Sequence, residues 1–325
     1  MINATDIFSI QTEPDFEAVC LSVFRYQAAA CEPYRTYLQN LGVSPHDVQS
    51  ISEIPFLPIR FFKECSVYAS DKPEELTFTS SSTTGTGESR HLVADTGMYE
   101  QSFRNGFRQF YGEPSDHTIL TLLPSYLERN GSSLIYMVED LVKLSGKPLS
   151  GFFLRNHSEL FDTLCRLKEA KEPSMLIGVS FGLLDFVEQY PIDFPELIVM
   201  ETGGMKGRRK EMVRQELHDI LCKGFGVKHI HSEYGMTECL SQAYSQGEGV
   251  YRCPPWMRVL TRDIYDPFEP AAQGVTGGVN IIDLANLYSC SFIETQDLGR
   301  VYKDSTFEIL GRFDNSDIRG CNLLV

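Results

Sequence analysis

The sequence predicts an α/β fold built on a largely parallel sheet. Apolar runs of strand length alternate with amphipathic stretches along the chain, the pattern of strand–helix units whose sheet is parallel. Glycine-rich and polar segments fall where those strands end, the place where such sheets bind ligands. With 325 residues, 42% of them hydrophobic, the chain can bury one large core or two modest ones.

The elements follow in order. Residues 15–40 read as helical and mostly buried. Residues 53–62, EIPFLPIRFF, set two prolines among aromatic residues and read as irregular packed chain, because proline lacks a backbone donor. HTILTLLPSY at 117–126 reads as a buried strand entering a loop. SMLIGV at 174–179 is a strand, and GLLDFVEQY at 182–190 is the helix after it. ELIVMETGG at 196–204 is a strand followed by a helix over 206–222. In that helix Val213, Leu217, Ile220 and Leu221 share a face at helical spacing. KHIHSEYG at 228–235 and GGVNIIDLA at 277–285 are further strands.

Charge and cysteine usage exclude several function classes. A net charge of −15 argues against a general binder of nucleic acid or anionic membranes. No apolar run reaches membrane-spanning length, and MINATDIFSI has no basic stretch before an apolar one; a cytoplasmic protein is expected. The nine cysteines are scattered, with no C-x-x-C pair, which suits reduced thiols and argues against structural zinc. HIH at 229–231 reads as a strand showing two histidines on one face.

The chemistry concentrates in FTSSSTTGTGESRH, residues 78–91, dense in hydroxyls and with two glycines. Successive backbone N–H groups in such a loop form a concavity for anions, and hydroxyls add donors. It does not match the Walker pattern, and Arg90 stands where a dinucleotide fingerprint needs its last glycine. Composition alone favours a polar surface loop. Three later segments accompany it in order: HSEYGMTEC, ETQDLGR and GRFDNSDIRG.

Together these four segments resemble the signature set of the adenylate-forming (acyl-activating) enzymes, most closely the LuxE-like acyl-protein synthetases. The resemblance implies an adenylate-forming N-terminal-type domain with mostly parallel sheets and without the mobile C-terminal domain. It places an ATP- and acyl-binding α/β domain over residues 1–300. A short segment, 301–325, carries the G-R-x-D motif and an acceptor cysteine. It implies activation of a fatty or other carboxylic acid as acyl-AMP with ATP and Mg²⁺, then acyl transfer to an enzyme cysteine. An acyl-CoA reductase or acyl-carrier protein would be a possible onward partner; nucleic acid would not.

Residue by residue, the resemblance puts Thr79, Ser80, Ser81, Ser82, Thr83, Thr84 and Gly85 around the phosphates. Arg90 would replace the family's loop lysine. Gly203 and Gly204 would form a turn beside the nucleotide. Tyr234 matches the aromatic against adenine, Thr237 the hydroxyl near the α-phosphate, and Glu238 the Mg²⁺ carboxylate. Asp297 matches the ribose-binding carboxylate, Arg312 the arginine on ribose or phosphate, and Asp314 a hinge. Gly178 and Ser180 fall where the acyl pocket lies, and Cys321 where the acceptor thiol lies. Lys206 and Arg319 are candidate cations for the α-phosphate.

Two alternatives stand beside this reading. GVSFG at 178–182 satisfies G-x-S-x-G between a strand and a helix, the context of a hydrolase nucleophile. Ser180 would then be a serine esterase or acyltransferase nucleophile, with His218, His229 or His231 as base. The other alternative is a non-catalytic scaffold that kept the adenylate-forming fold.

Overall fold

A computed structural model describes residues 2–80, 88–123, 131–203 and 212–313. Two compact units make up the chain, one of Asp71–Pro254 and one of Met1–Ser70 with Pro255–Val325.

The Asp71–Pro254 unit contains the predicted parallel sheet. Its strands lie in the order Gly151–Phe152, Thr118–Leu122, Ser174–Val179, Ile198–Thr202, His231–Tyr234 and Ala243–Ser245. The first five are parallel and the last is antiparallel. Every residue of Thr118–Leu122 and Ser174–Val179 is buried, so these strands read as unbroken apolar runs. The order reverses direction between these two strands. That switch point is where open α/β sheets leave a crevice beyond the strand ends.

Helices Thr96–Tyr111, Ser133–Ser145, His157–Ala170, Ser180–Gln189 and Arg214–Phe225 complete this unit. In Arg214–Phe225 the buried row is Leu217, Leu221 and Phe225. Val213 is 74% exposed and Ile220 38%, so neither shares the predicted face. Val213 is the extended N-cap residue at ψ 141°, outside the helical row. Ile220 sits about 100° round the helix from Leu221. A separate hairpin pairs Leu76–Thr79 with Arg90–Val93, Thr79 opposite Arg90.

In the other unit, the predicted 15–40 helix is two helices, Glu13–Ala30 and Glu32–Asn40. They break at Cys31, which is extended, with Pro33 in the first turn of the second; a proline there removes the donor the first helix would need to continue. Its strands Met257–Arg262, Gly277–Asp283, Phe292–Val301 and Phe307–Arg312 are antiparallel neighbours. The GGVNIIDLA strand therefore exists but sits among antiparallel partners. Of EIPFLPIRFF, Leu57–Pro58 pairs with Phe292–Val301 and Phe61 begins a four-residue helix. Phe24, Tyr34 and Phe292 pack edge to face or stacked at centroid distances of 5.9–6.1 Å. Gln27, fully buried, donates to the Asn286 and Leu287 carbonyls.

Candidate active site

The carboxyl edge of the parallel sheet gathers most of the described candidate residues. Thr202 ends one strand and Tyr234 the next. Gly203 and the Gly235–Glu238 turn follow directly, and Ser180 opens the helix after Val179. In Y-G-x-T-E the glycine leaves room for the Glu233 carboxylate. A Cβ on Gly235 would stand 2.4 Å from Glu233 Oε1. Glu233 in turn accepts a hydrogen bond from the Thr202 hydroxyl, which joins the two strand ends. No helix begins at Glu238, which lies in a turn and is 6% exposed, so it is not a helix cap. Tyr234 packs its ring edge to face on Tyr251 at 5.9 Å.

Two hydrogen bonds leave the hydroxyl-rich hairpin, from Thr79 to Gly131 and from His91 to Thr237, and one pair closes it internally. Thr79 donates its N–H to the Gly131 carbonyl at 2.8 Å, and Ser80 and Ser89 bond to one another across the hairpin. Behind them His91, 1% exposed, sets Nδ1 2.9 Å from the Thr237 carbonyl. A carbonyl only accepts, so Nδ1 carries the hydrogen. The hydroxyl hairpin and the YGMTE turn are thus held by one buried imidazole. Sequence reading gave His91 no role. Its signal was a histidine placed two residues before Val93 on the inward face of a strand.

Burial pushes His91 down from 6.5 to about 4, against the opposing pull of its bond to Thr237. The unfolded chain therefore takes a proton near pH 6.5 that the folded chain refuses until about pH 4. Stability is full above that window and falls as the pH drops through it, by about 3 kcal/mol for this group. His231, lowered to about 4 by burial, acts in the same direction. Urea melts across pH 4–6.5 should be less pH-dependent for His91→Gln than for wild type. Equal slopes would remove His91 from this account.

Ser180 is 2% exposed, and its hydroxyl lies 3.0 Å from Glu201 Oε2 and 2.6 Å from the Gly203 carbonyl. Its backbone is not in the left-handed region. Gly178 is closed in by Leu183 and Leu122, whose side chains a Cβ would meet at 2.8–3.1 Å. G-x-S-x-G is here a strand–helix packing motif. The exposed, strained serine of a hydrolase elbow is absent, and His218 approaches Glu201 at 3.7 Å, with no described bond to Ser180. His231 bonds Tyr111 instead, at 3.3 Å. His229 precedes the strand and is exposed, so HIH is not two histidines of one strand.

Arg90 is exposed at the hairpin. In the other unit Asp297 and Arg312 face each other in register. Arg312 Nε donates to Asp297 Oδ1 at 3.0 Å, and Asp297 is 5% exposed. A β-bulge at Leu298–Gly299 follows the pair, a device that re-aims a strand's side chains. Ser81, Ser82, Thr83, Thr84, Gly85, Gly204, Lys206, Asp314, Arg319 and Cys321 lie outside the described residues. Among the described residues no cluster of three His, Cys, Asp or Glu could hold a metal, and no helix is long and apolar enough to cross a membrane.

The sequence profile of the family described as Acyl-protein synthetase, LuxE, matches residues 5–325. The chain belongs to the LuxE family. No curated protein matches this LuxE chain, but solved structures share its fold. ATP-bound MatB from Rhodopseudomonas palustris is similar at a TM-score of 0.57 and 14% identity, over 75% of this chain and 50% of MatB. 2-Hydroxyisobutyryl-CoA ligase, in the postadenylation state with 2-HIB-AMP, is similar at 0.70 and 12% identity, over 93% and 68%. The luciferase-like enzyme from the nonluminescent Zophobas morio mealworm is similar at 0.51 and 13% identity, over 76% and 59%. The LuxE chain thus spans half the length of MatB, and its fold is that of the adenylate-forming domains of these ligases.

Proposed function

We propose that the chain uses ATP to activate a carboxylic acid as acyl-AMP and then transfers the acyl group to its own Cys321. The observation that carries this is the His91 tie between the hydroxyl-rich hairpin and the YGMTE turn, in a chain that matches the acyl-protein synthetase family along residues 5–325. That contact sets a strand flanking the proposed phosphate loop against the turn proposed for the nucleotide.

In the first step a carboxylate oxygen of the acid attacks the α-phosphorus of ATP, and pyrophosphate leaves. In the second the Cys321 thiolate attacks the acyl carbonyl carbon, a thioester forms and AMP leaves. Positioning and charge neutralisation dominate phosphoryl chemistry of this kind. Thr79, Ser80 and the 81–85 segment would cradle the phosphates, with Arg90 as a cation. Tyr234 would lie against adenine, with the Gly203–Gly204 turn beside the nucleotide and Thr237 near the α-phosphate. Asp297 would take the ribose hydroxyls, with Arg312 fixing it. Gly178 and Ser180 would back the acyl pocket.

Glu238 offers the hard oxygen that Mg²⁺ takes, and one carboxylate is enough for an ion that keeps waters and binds through phosphates. When bound, that ion would offset phosphate charge. Residues 1–300 would perform ATP and acyl binding, and 301–325 would carry the acceptor. A fatty acid is the proposed substrate, and an acyl-CoA reductase or acyl carrier the onward partner.

The test is pyrophosphate release from ATP with a panel of fatty, hydroxy and aromatic acids. Acid-dependent release of pyrophosphate and AMP is expected. Ester cleavage without ATP, or no turnover with any acid, would overturn the proposal.

A further inference from the structure

The strand Phe292–Val301 leaves its ladder with Gly277–Asp283 where Asp297 stands. Gly278 pairs with Leu298 and Asn280 with Glu294, so Val279 alone faces Thr295, Gln296 and Asp297. A bulge of this kind disrupts the ladder and re-aims the side chains it carries. Buried backbone groups released from a ladder must find other partners, and here side chains supply them. The Thr295 hydroxyl accepts the Asp297 N–H at 3.0 Å and donates its one hydrogen to the Val279 carbonyl at 2.8 Å. Arg262, 6% exposed, donates from one nitrogen to the Val279 carbonyl and to Asn280 Oδ1, and from the other to the Thr295 carbonyl, each at 2.8 Å. Gly278 makes the room, since a Cβ there would stand 2.6 Å from the guanidinium carbon. Burying a guanidinium is costly unless its donors are met, and this one directs them to the backbone around Asp297.

We propose that Thr295 and Arg262 are positioning residues that fix the backbone of Asp297 and so set how strongly the enzyme prefers a ribonucleotide to its 2′-deoxy counterpart. This rests on the reading that Asp297 takes the ribose hydroxyls. A carboxylate accepts two neighbouring hydroxyls only when both its oxygens are aimed at them, and a side chain on a bulge is aimed by that bulge. Thr295 fills both of its hydrogen-bonding roles in one geometry, as donor to Val279 and acceptor from Asp297. Arg262 holds the carbonyls of Val279 and Thr295 from the neighbouring strand.

The test compares kcat/KM for ATP and for 2′-deoxy-ATP, with the acid that turns over fastest. Wild type should prefer ATP about tenfold or more, the size of one hydrogen bond to a charged group. Thr295→Val keeps the shape and loses both hydrogen bonds, and its preference should fall to about threefold or less. Thr295→Ser should restore it. Arg262→Lys keeps the charge beside Glu294 but gives up the fork; it should also lose preference, and it carries the test if Thr295→Val does not fold. A merely structural role would lower activity with both nucleotides equally and leave their ratio unchanged. Wild type without ATP-dependent turnover would sink the adenylation reading itself. Active wild type that uses both nucleotides equally well would remove Asp297 from the ribose, and the proposal with it. A wild-type preference kept in full by Thr295→Val and Arg262→Lys would sink only the positioning role.

Discussion

Glu238→Ala is expected to cut acid-dependent pyrophosphate release at least a hundredfold while the protein stays folded. Glu238 is 6% exposed in the turn after the His231–Tyr234 strand, immediately after Thr237, whose carbonyl His91 holds. Its position is therefore fixed by backbone contacts that the substitution leaves in place. What alanine removes is the carboxylate proposed to hold a cation on the phosphates. Loss of a single pre-set charge interaction at a reacting centre typically costs about 3 kcal/mol, or two orders of magnitude in rate. Glu238→Gln separates charge from shape and should be nearly as slow. A melting temperature measured beside the activity checks that the variant is folded. Pyrophosphate release above half the wild-type rate in Glu238→Ala would end the carboxylate's role.

Strand existence was legible where burial is complete on both faces. SMLIGV and ELIVMET are apolar because helices and loops cover both sides of a parallel sheet. The direction of a strand's neighbours is not written in such runs, which is why GGVNIIDLA gave no hint of its antiparallel partners. The Thr96–Tyr111 helix escaped notice for a different reason. It buries Tyr99, Ser102 and Gly106 beside Met98, Phe103 and Phe107, and a face so mixed in polarity blurs the apolar stripe. At the site, Tyr234, Thr237 and Glu238 were legible as a motif, and the structure sets them on one strand end and the turn that follows it. His91 was not, because its contact to Thr237 spans 146 positions and nothing local marks a polar side chain that serves so distant a partner. The G-x-S-x-G match misleads for the same physical reason in reverse. Tight strand–helix packing and a nucleophile elbow both need small residues at a strand end, so only exposure, backbone and histidine geometry distinguish them.

Cys321→Ser should still release pyrophosphate and make acyl-AMP, yet carry no thioester label. The eight cysteines among the described residues are all free thiols, and burial argues against most of them as acceptors. It pushes Cys31 to about 11 and Cys20 to about 12, and raises Cys290 well above the usual thiol range. Burial and neighbouring carboxylates raise Cys165 and Cys222. Thiols held protonated are poor nucleophiles towards a mixed anhydride. Cys65 is the exposed exception, and Cys65→Ser is the necessary control, expected to label like wild type. Cys321 is the proposed acceptor because it stands where the resemblance to the acyl-protein synthetases places that thiol. Incubation with ATP, Mg²⁺ and a labelled acid, followed by neutral hydroxylamine, separates a thioester from an oxygen ester. Wild type and Cys65→Ser should lose label to hydroxylamine, and Cys321→Ser should have none to lose. A serine hydroxyl does not ionise near neutral pH, so the adenylate would accumulate or hydrolyse. Retention of hydroxylamine-labile label in Cys321→Ser would move the acceptor to another thiol while leaving the adenylation step untouched. That asymmetry makes the two half-reactions separately testable in one protein.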